Sequence, residues 1–195
     1  MHMITSQTEK NIFDQFFEIG NASVWSETLV IFGAVYLIWL LIFLVTFWWW
    51  QLPRTKPSHD WPFFGKRKWL DFGIIALSVL LAFLINYGLG FLFMRDRPFV
   101  QYDILPLSDP GHIFGKSFPS DHTAVAFALS WVVFFLDRKK GTILLLLALL
   151  VGISRIMAGV HFPLDVLVGI FTGLLGTFIV YRIFKLFYTK KLIKN

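Results

Sequence analysis

The chain contains no cysteine, so it has neither a disulfide framework nor a thiolate metal site, and its redox compartment leaves no mark on it. Charge is sparse too: 15% of the 195 residues are charged, against 56% hydrophobic and 18% aromatic, and the mean hydropathy is +0.67. That balance is too apolar for an ordinary soluble core and makes the bilayer the expected solvent. No internal repeat, low-complexity tract or interdomain linker is present, so a single domain over 1–195 is expected. Residues 1–23 hold Lys10 but no basic segment leading into a short apolar core, so no cleaved signal peptide is expected.

Apolar runs are what the chain has in quantity. Four of them, at about 25–50, 71–94, 120–136 and 164–188, are long enough, at roughly 20 residues each, to cross a hydrocarbon layer about 30 Å thick. A fifth, 142–160, is nearly free of charge until Arg155. The expected fold is therefore all-α: an integral membrane helix bundle of about five transmembrane helices. Ahead of the first run, Ile12, Phe13, Phe16 and Phe17 recur at helical spacing among Glu9, Asp14 and Glu18, the pattern of an interfacial helix. Phe47 to Trp50 close the first run with aromatic rings suited to a membrane interface.

A net charge of +6 raises the question of nucleic acid, and the distribution of the 18 basic residues answers it. Thirteen fall on one side if the runs alternate: Arg54, Lys56, Lys66, Arg67 and Lys68; Arg138, Lys139 and Lys140; Arg182, Lys185, Lys190, Lys191 and Lys194. The other side keeps Lys10, Arg95, Arg97, Lys116 and Arg155. The positive-inside rule then places the N-terminus outside and the C-terminus in the cytoplasm. The basic surplus reads as topology, with membrane lipids and no nucleic acid as partners; nothing in the chain speaks to an oligomeric state.

The outer basic residues run against that trend, and most sit in dense polar clusters. MRDRPFV spans Met94 to Val100, SFPSDH spans Ser117 to His122, and SRIMAGVHFPLD spans Ser154 to Asp165. With an outside N-terminus all three emerge on one face. Arg97 and Arg155 offer planar guanidinium forks matched to phosphate oxygens. Ser120 stands as a helix N-cap, with free backbone N–H groups after it where an anion docks. His161 precedes Asp165 by four residues; a carboxylate there accepts the imidazole N–H and leaves the other nitrogen as a nucleophile, with His122 available for proton transfer. Singly, each feature has a plainer explanation: an interfacial Arg snorkels, a Ser caps, a His beside Pro sits in a loop. Ser154 and Arg155, deep in an apolar run, are expensive unless they serve a site.

The succession Arg97-Pro98, Pro119-Ser120-x-His122 and Ser154-Arg155-x5-His161-x3-Asp165 resembles the three-part signature of the type 2 phosphatidic acid phosphatase superfamily. The resemblance implies a helical membrane phosphatase in which a histidine attacks phosphorus without a metal ion or other cofactor. His161 is then the nucleophile, Asp165 its orienting partner and His122 the acid for the leaving group, while Arg97, Ser120 and Arg155 hold the phosphate. Two departures stand out. The signature's Lys, seven residues before Arg97, is Gly90 here, so another outer cation is expected to compensate, Arg95 ahead of Lys116. The common PSGH is PSDH, and Asp121 is expected to face away from the phosphate and to favour the helix start. Both departures resemble the bacitracin-resistance undecaprenyl-diphosphatase branch of that family, which implies hydrolysis of undecaprenyl diphosphate at the outer face of a bacterial cytoplasmic membrane. Phosphatidylglycerophosphate and phosphatidic acid are the alternative substrates. A transporter with a polar pathway would place such groups at the midplane of repeated halves, and a metal hydrolase built on His122, His161 and Asp165 would set its metal against three nearby cations.

Overall fold

In the computed structural model the described residues are 5–51, 68–108 and 116–193. Among them the chain is entirely helical: α1 (Gln7–Gly20), α2 (Val24–Ile31), a π-helical turn (Phe32–Tyr36), α3 (Leu37–Gln51), α4 (Lys68–Leu92), α5 (Pro98–Gln101), α6 (Asp121–Leu136), α7 (Arg138–Met157) and α8 (Pro163–Ile193). Four rods have the length and apolarity to cross a bilayer: Val24–Gln51, Trp69–Leu92, Arg138–Met157 and Pro163–Phe187. The remaining expected span, 120–136, is α6 and has only 16 residues, a length of about 24 Å at ~1.5 Å per residue. It tolerates this because it runs through the centre of the bundle, with Ala124, Ala126, Ala128, Val132 and Val133 fully enclosed. Most of the basic 51–70 loop lies outside the described residues.

The bundle packs by small residues, as helices do where lipid removes the hydrophobic drive to associate. A Cβ on Gly173 of α8 would stand 2.6 Å from the Ala124 carbonyl of α6, so only glycine lets these two helices approach so closely. Outward-facing Phe43, Phe83, Leu146 and Phe171 are exposed, which suits a lipid-facing surface. Inside, Leu41, Ile74, Val132 and Val151 join α3, α4, α6 and α7 into one core.

Two boundaries differ from the sequence pattern. α7 begins at Arg138, because Asp137 caps it by accepting the Lys140 N–H at 3.1 Å, and it stops at Met157, three residues before the apolar run does. Gly159 at φ +76° reverses the chain there, a conformation that side chains resist, and the resulting turn delivers His161 to the end of the bundle. α1 is more than a surface anchor: Phe13 is 1% exposed and packs its ring at a tilt against Phe162 and Tyr102, at ring-centroid distances of 5.5 and 6.0 Å.

Candidate active site

One end of the bundle gathers the three polar clusters. Cap geometry does most of the placing: Ser120 opens α6 as its N-cap, Arg97 occupies the same position before α5, and Pro163 starts α8 two residues past His161. The strand of loop ahead of α6 is stitched to its neighbours by backbone bonds, with the Ser117 N–H donating to the Arg95 carbonyl and the Ser120 N–H to the Asp165 carbonyl, each at 3.0 Å. Segments far apart in sequence are thereby held in register.

His161 is buried, and its Nδ1 lies 2.8 Å from the Ser117 carbonyl oxygen. A carbonyl only accepts, so Nδ1 carries the proton and Nε2 keeps its lone pair. Burial pushes the His161 pKa below the usual histidine value, and the charges of Arg155 and Arg97 push the same way, against the pull of Asp165. The ring is therefore neutral at neutral pH. Asp165 is expected as the direct partner of Nδ1, but its nearer oxygen, Oδ2, stands 3.7 Å away. Its carboxylate instead accepts from the Ser117 hydroxyl, from the Phe162 N–H at 2.8 Å and from Arg95 at 2.7 Å. Asp165 thus meets His161 through the Ser117 loop and by its charge.

The charges of Arg155 and Arg97 reach both histidines. Arg155 is 3% exposed and donates to the Ala34 carbonyl at 3.2 Å; that carbonyl belongs to the π-helical turn, a departure from regular α-helix that recurs at functional sites. The Nε of Arg155 is buried with no hydrogen-bond partner among the described residues, as suits a group awaiting an anion. Arg97 has its pKa lowered by burial, partly offset by Asp121 and Asp165, and His122 lies within the electrostatic reach of Arg155, His161 and Arg97. Ser120 is fully buried and makes no capping bond; its Oγ accepts from Thr123 Oγ1 at 3.0 Å, which leaves its own proton to donate.

The two outer cations part company. Arg95, the first choice to stand in for the missing Lys, has both terminal nitrogens taken by Asp165, Glu9 and Thr5, so it supports Asp165 from behind. Lys116 crosses directly over Gly90: a Cβ at residue 90 would lie 2.1 Å from Lys116 Cδ and 2.8 Å from its Nζ. The ammonium is held by the Asn86 carbonyl at 3.1 Å and Asp121 Oδ1 at 3.3 Å. Asp121 turns toward α4, where Asn86 Nδ2 donates to it at 2.8 Å. Asn86 and Glu9 are not readable as site residues, since their partners lie 35 and 86 residues away in sequence; the one available signal is an Asn inside an apolar run.

Comparison with known proteins identifies the family. Residues 71–188 match the PAP2 superfamily. The chain is 32% identical over 166 residues to the "Bacitracin transport permease protein BcrC" of Bacillus licheniformis, covering 84% of this chain and 74% of that protein. It is likewise 32% identical over 161 residues to the "Putative undecaprenyl-diphosphatase YbjG" of Escherichia coli K12, covering 80% and 72%. Among solved structures, Aquifex aeolicus LpxE superposes with a TM-score of 0.66 at 27% identity, over 93% of this chain and 99% of that one.

Proposed function

Because the chain belongs to the PAP2 superfamily and is a membrane phosphatase, we propose that it removes the terminal phosphate of undecaprenyl diphosphate through a phosphohistidine on His161. The observation that carries the reading is the His161–Ser117 bond, which leaves Nε2 as a neutral nucleophile within the electrostatic reach of Arg155 and Arg97. Nε2 attacks the terminal phosphorus and forms a P–N bond; the bond to the bridging oxygen breaks, and the lipid monophosphate leaves. His122 gives that oxygen its proton. Water then attacks phosphorus, His122 takes the water's proton, the P–N bond breaks, and phosphate and free His161 are regenerated.

Arg97 and Arg155 offer forked donors to the phosphoryl oxygens, and the Ser120 hydroxyl donates beside them. The negative charge of the bound substrate favours a protonated His122, so the acid is armed by substrate. Lys116 supplies the remaining cation, from the position that a side chain at residue 90 would otherwise fill, and Asp121 holds it in waiting. The choice of a polyprenyl diphosphate rests on the PSDH wording, on the missing Lys and on the name carried by the Escherichia coli relative. The charge distribution supports a site facing the extracytoplasmic side, where the carrier's diphosphate is released.

Purified protein offered undecaprenyl diphosphate, phosphatidylglycerophosphate and phosphatidic acid side by side tests the substrate. Phosphate release fastest from the diphosphate supports the reading; a clear preference for either glycerophospholipid replaces it.

A further inference from the structure

Arg95 lies between two carboxylates from opposite ends of the chain. Its NH1 is 2.7 Å from Asp165 Oδ1 and 3.1 Å from Glu9 Oε1, while NH2 is 2.6 Å from Glu9 Oε2. Glu9 Oε1 also accepts the Leu164 N–H in the first turn of α8 at 3.1 Å. The side chains of Arg95 and Asp165 are 1% and 0% exposed, and that of Glu9 is 13% exposed. An amphipathic surface helix needs only its apolar face to anchor; a carboxylate driven inward onto a buried arginine does something else.

The arithmetic of charge says what. Arg95 matched to Asp165 alone is a neutral pair as felt from His161. With Glu9 engaging both terminal nitrogens of the guanidinium, the trio carries a net negative charge, and the Asp165 carboxylate bears on the Nδ1–H 3.7 Å away. Negative charge there stabilises the positive charge that the imidazole acquires when Nε2 bonds to phosphorus. We propose that Glu9 is a positioning residue of the phosphoryl-transfer centre, acting through Arg95 and Asp165 on His161, which makes α1 a working part of the site. The proposal rests on His161 being the nucleophile, as argued above.

The test compares Glu9→Gln and Glu9→Asp with the wild-type full-length chain in detergent micelles, turning over undecaprenyl diphosphate. Glutamine keeps the size and an acceptor for the Leu164 N–H but drops the charge. Glu9→Gln is expected to lower kcat about tenfold with KM within about twofold, and to move the acid limb of the kcat profile to lower pH. The sign follows from removing a negative charge near a base whose proton must be absent for attack. The groups facing His161 are Asp165 from α8, Arg155 from α7, Arg97 from the segment before α5 and His122 from α6, with Arg95, Glu9 and Thr5 behind Asp165, and only Glu9 changes. Glu9→Asp is expected to restore kcat to within about threefold and to return the limb to its wild-type position. Unchanged kinetics in Glu9→Gln overturns the proposal, as does a kcat loss with an unmoved limb that Glu9→Asp fails to rescue. Should Glu9→Gln not fold, Glu9→Ala takes its place with the same expected loss of kcat and the same shift of the limb, and unchanged kinetics in it overturns the proposal. A wild-type chain that leaves undecaprenyl diphosphate intact while cleaving phosphatidylglycerophosphate faults the substrate assignment instead, and the same variants are then compared on that lipid.

Discussion

The Nδ1 of His161 is hydrogen-bonded to the backbone carbonyl of Ser117 at 2.8 Å, while the Asp165 carboxylate stands 3.7 Å off. The tautomer that exposes Nε2 is thus held by a group that no side-chain substitution removes. Asp165→Asn is accordingly expected to keep the Nδ1–H tautomer and to lose activity about 10²-fold, short of the ~10⁴-fold loss that follows when a catalytic histidine is left in the wrong tautomer. Nitrogen–proton NMR correlations of labelled histidine check the first point, and turnover the second. A protonated Nε2 in the variant contradicts the assignment.

Lys116 and Gly90 share one volume, and that makes a cation swap possible. Lys116→Ala is expected to lower kcat/KM by about 10- to 100-fold, the range of roughly 1.4–3 kcal/mol of lost charge stabilisation. Adding Gly90→Lys to that variant opens a side chain into the vacated space and recovers most of the loss. Gly90→Lys alone crowds Lys116 and is expected to impair the enzyme. A Lys116→Ala variant with wild-type kinetics removes the lysine from the site.

The proposed orientation in the membrane rests on the charge distribution and can be tested by labelling, since the chain has no cysteine of its own. Leu105, 88% exposed beside the site, is expected as Leu105→Cys to react with an impermeant reagent in intact cells. Lys139, exposed at the start of α7, is expected as Lys139→Cys to react only after permeabilisation. The reverse pattern puts the site in the cytoplasm.

Much of this was legible from residues alone, for reasons that also mark the limit. The helices announce themselves by uninterrupted apolarity, and the clusters around Arg97, His122 and His161 by polar groups placed where they are costly. Partnerships between elements left no such trace. Glu9 reads as one acid on an amphipathic face until the fold sets it against Arg95, 86 residues on. Arg95 reads as a free outer cation for a like reason, because Asp165, which its guanidinium pairs with, lies 70 residues on. Ser117 matters through its carbonyl and hydroxyl together, and a backbone acceptor has no signature in a sequence. The central place of α6 was equally hidden, because its apolar run is shorter than its neighbours' and only packing explains why that suffices.

The measurement that bears most directly on the account follows the phosphorus. Undecaprenyl diphosphate labelled in its terminal phosphate is mixed rapidly with enzyme, quenched without acid, and the protein assayed for acid-labile label. Wild type and His122→Ala are expected to carry label on His161, His122→Ala forming it slowly because its leaving group goes unprotonated, while His161→Ala carries none and releases no phosphate. Label retained in His161→Ala and lost in His122→Ala contradicts the account.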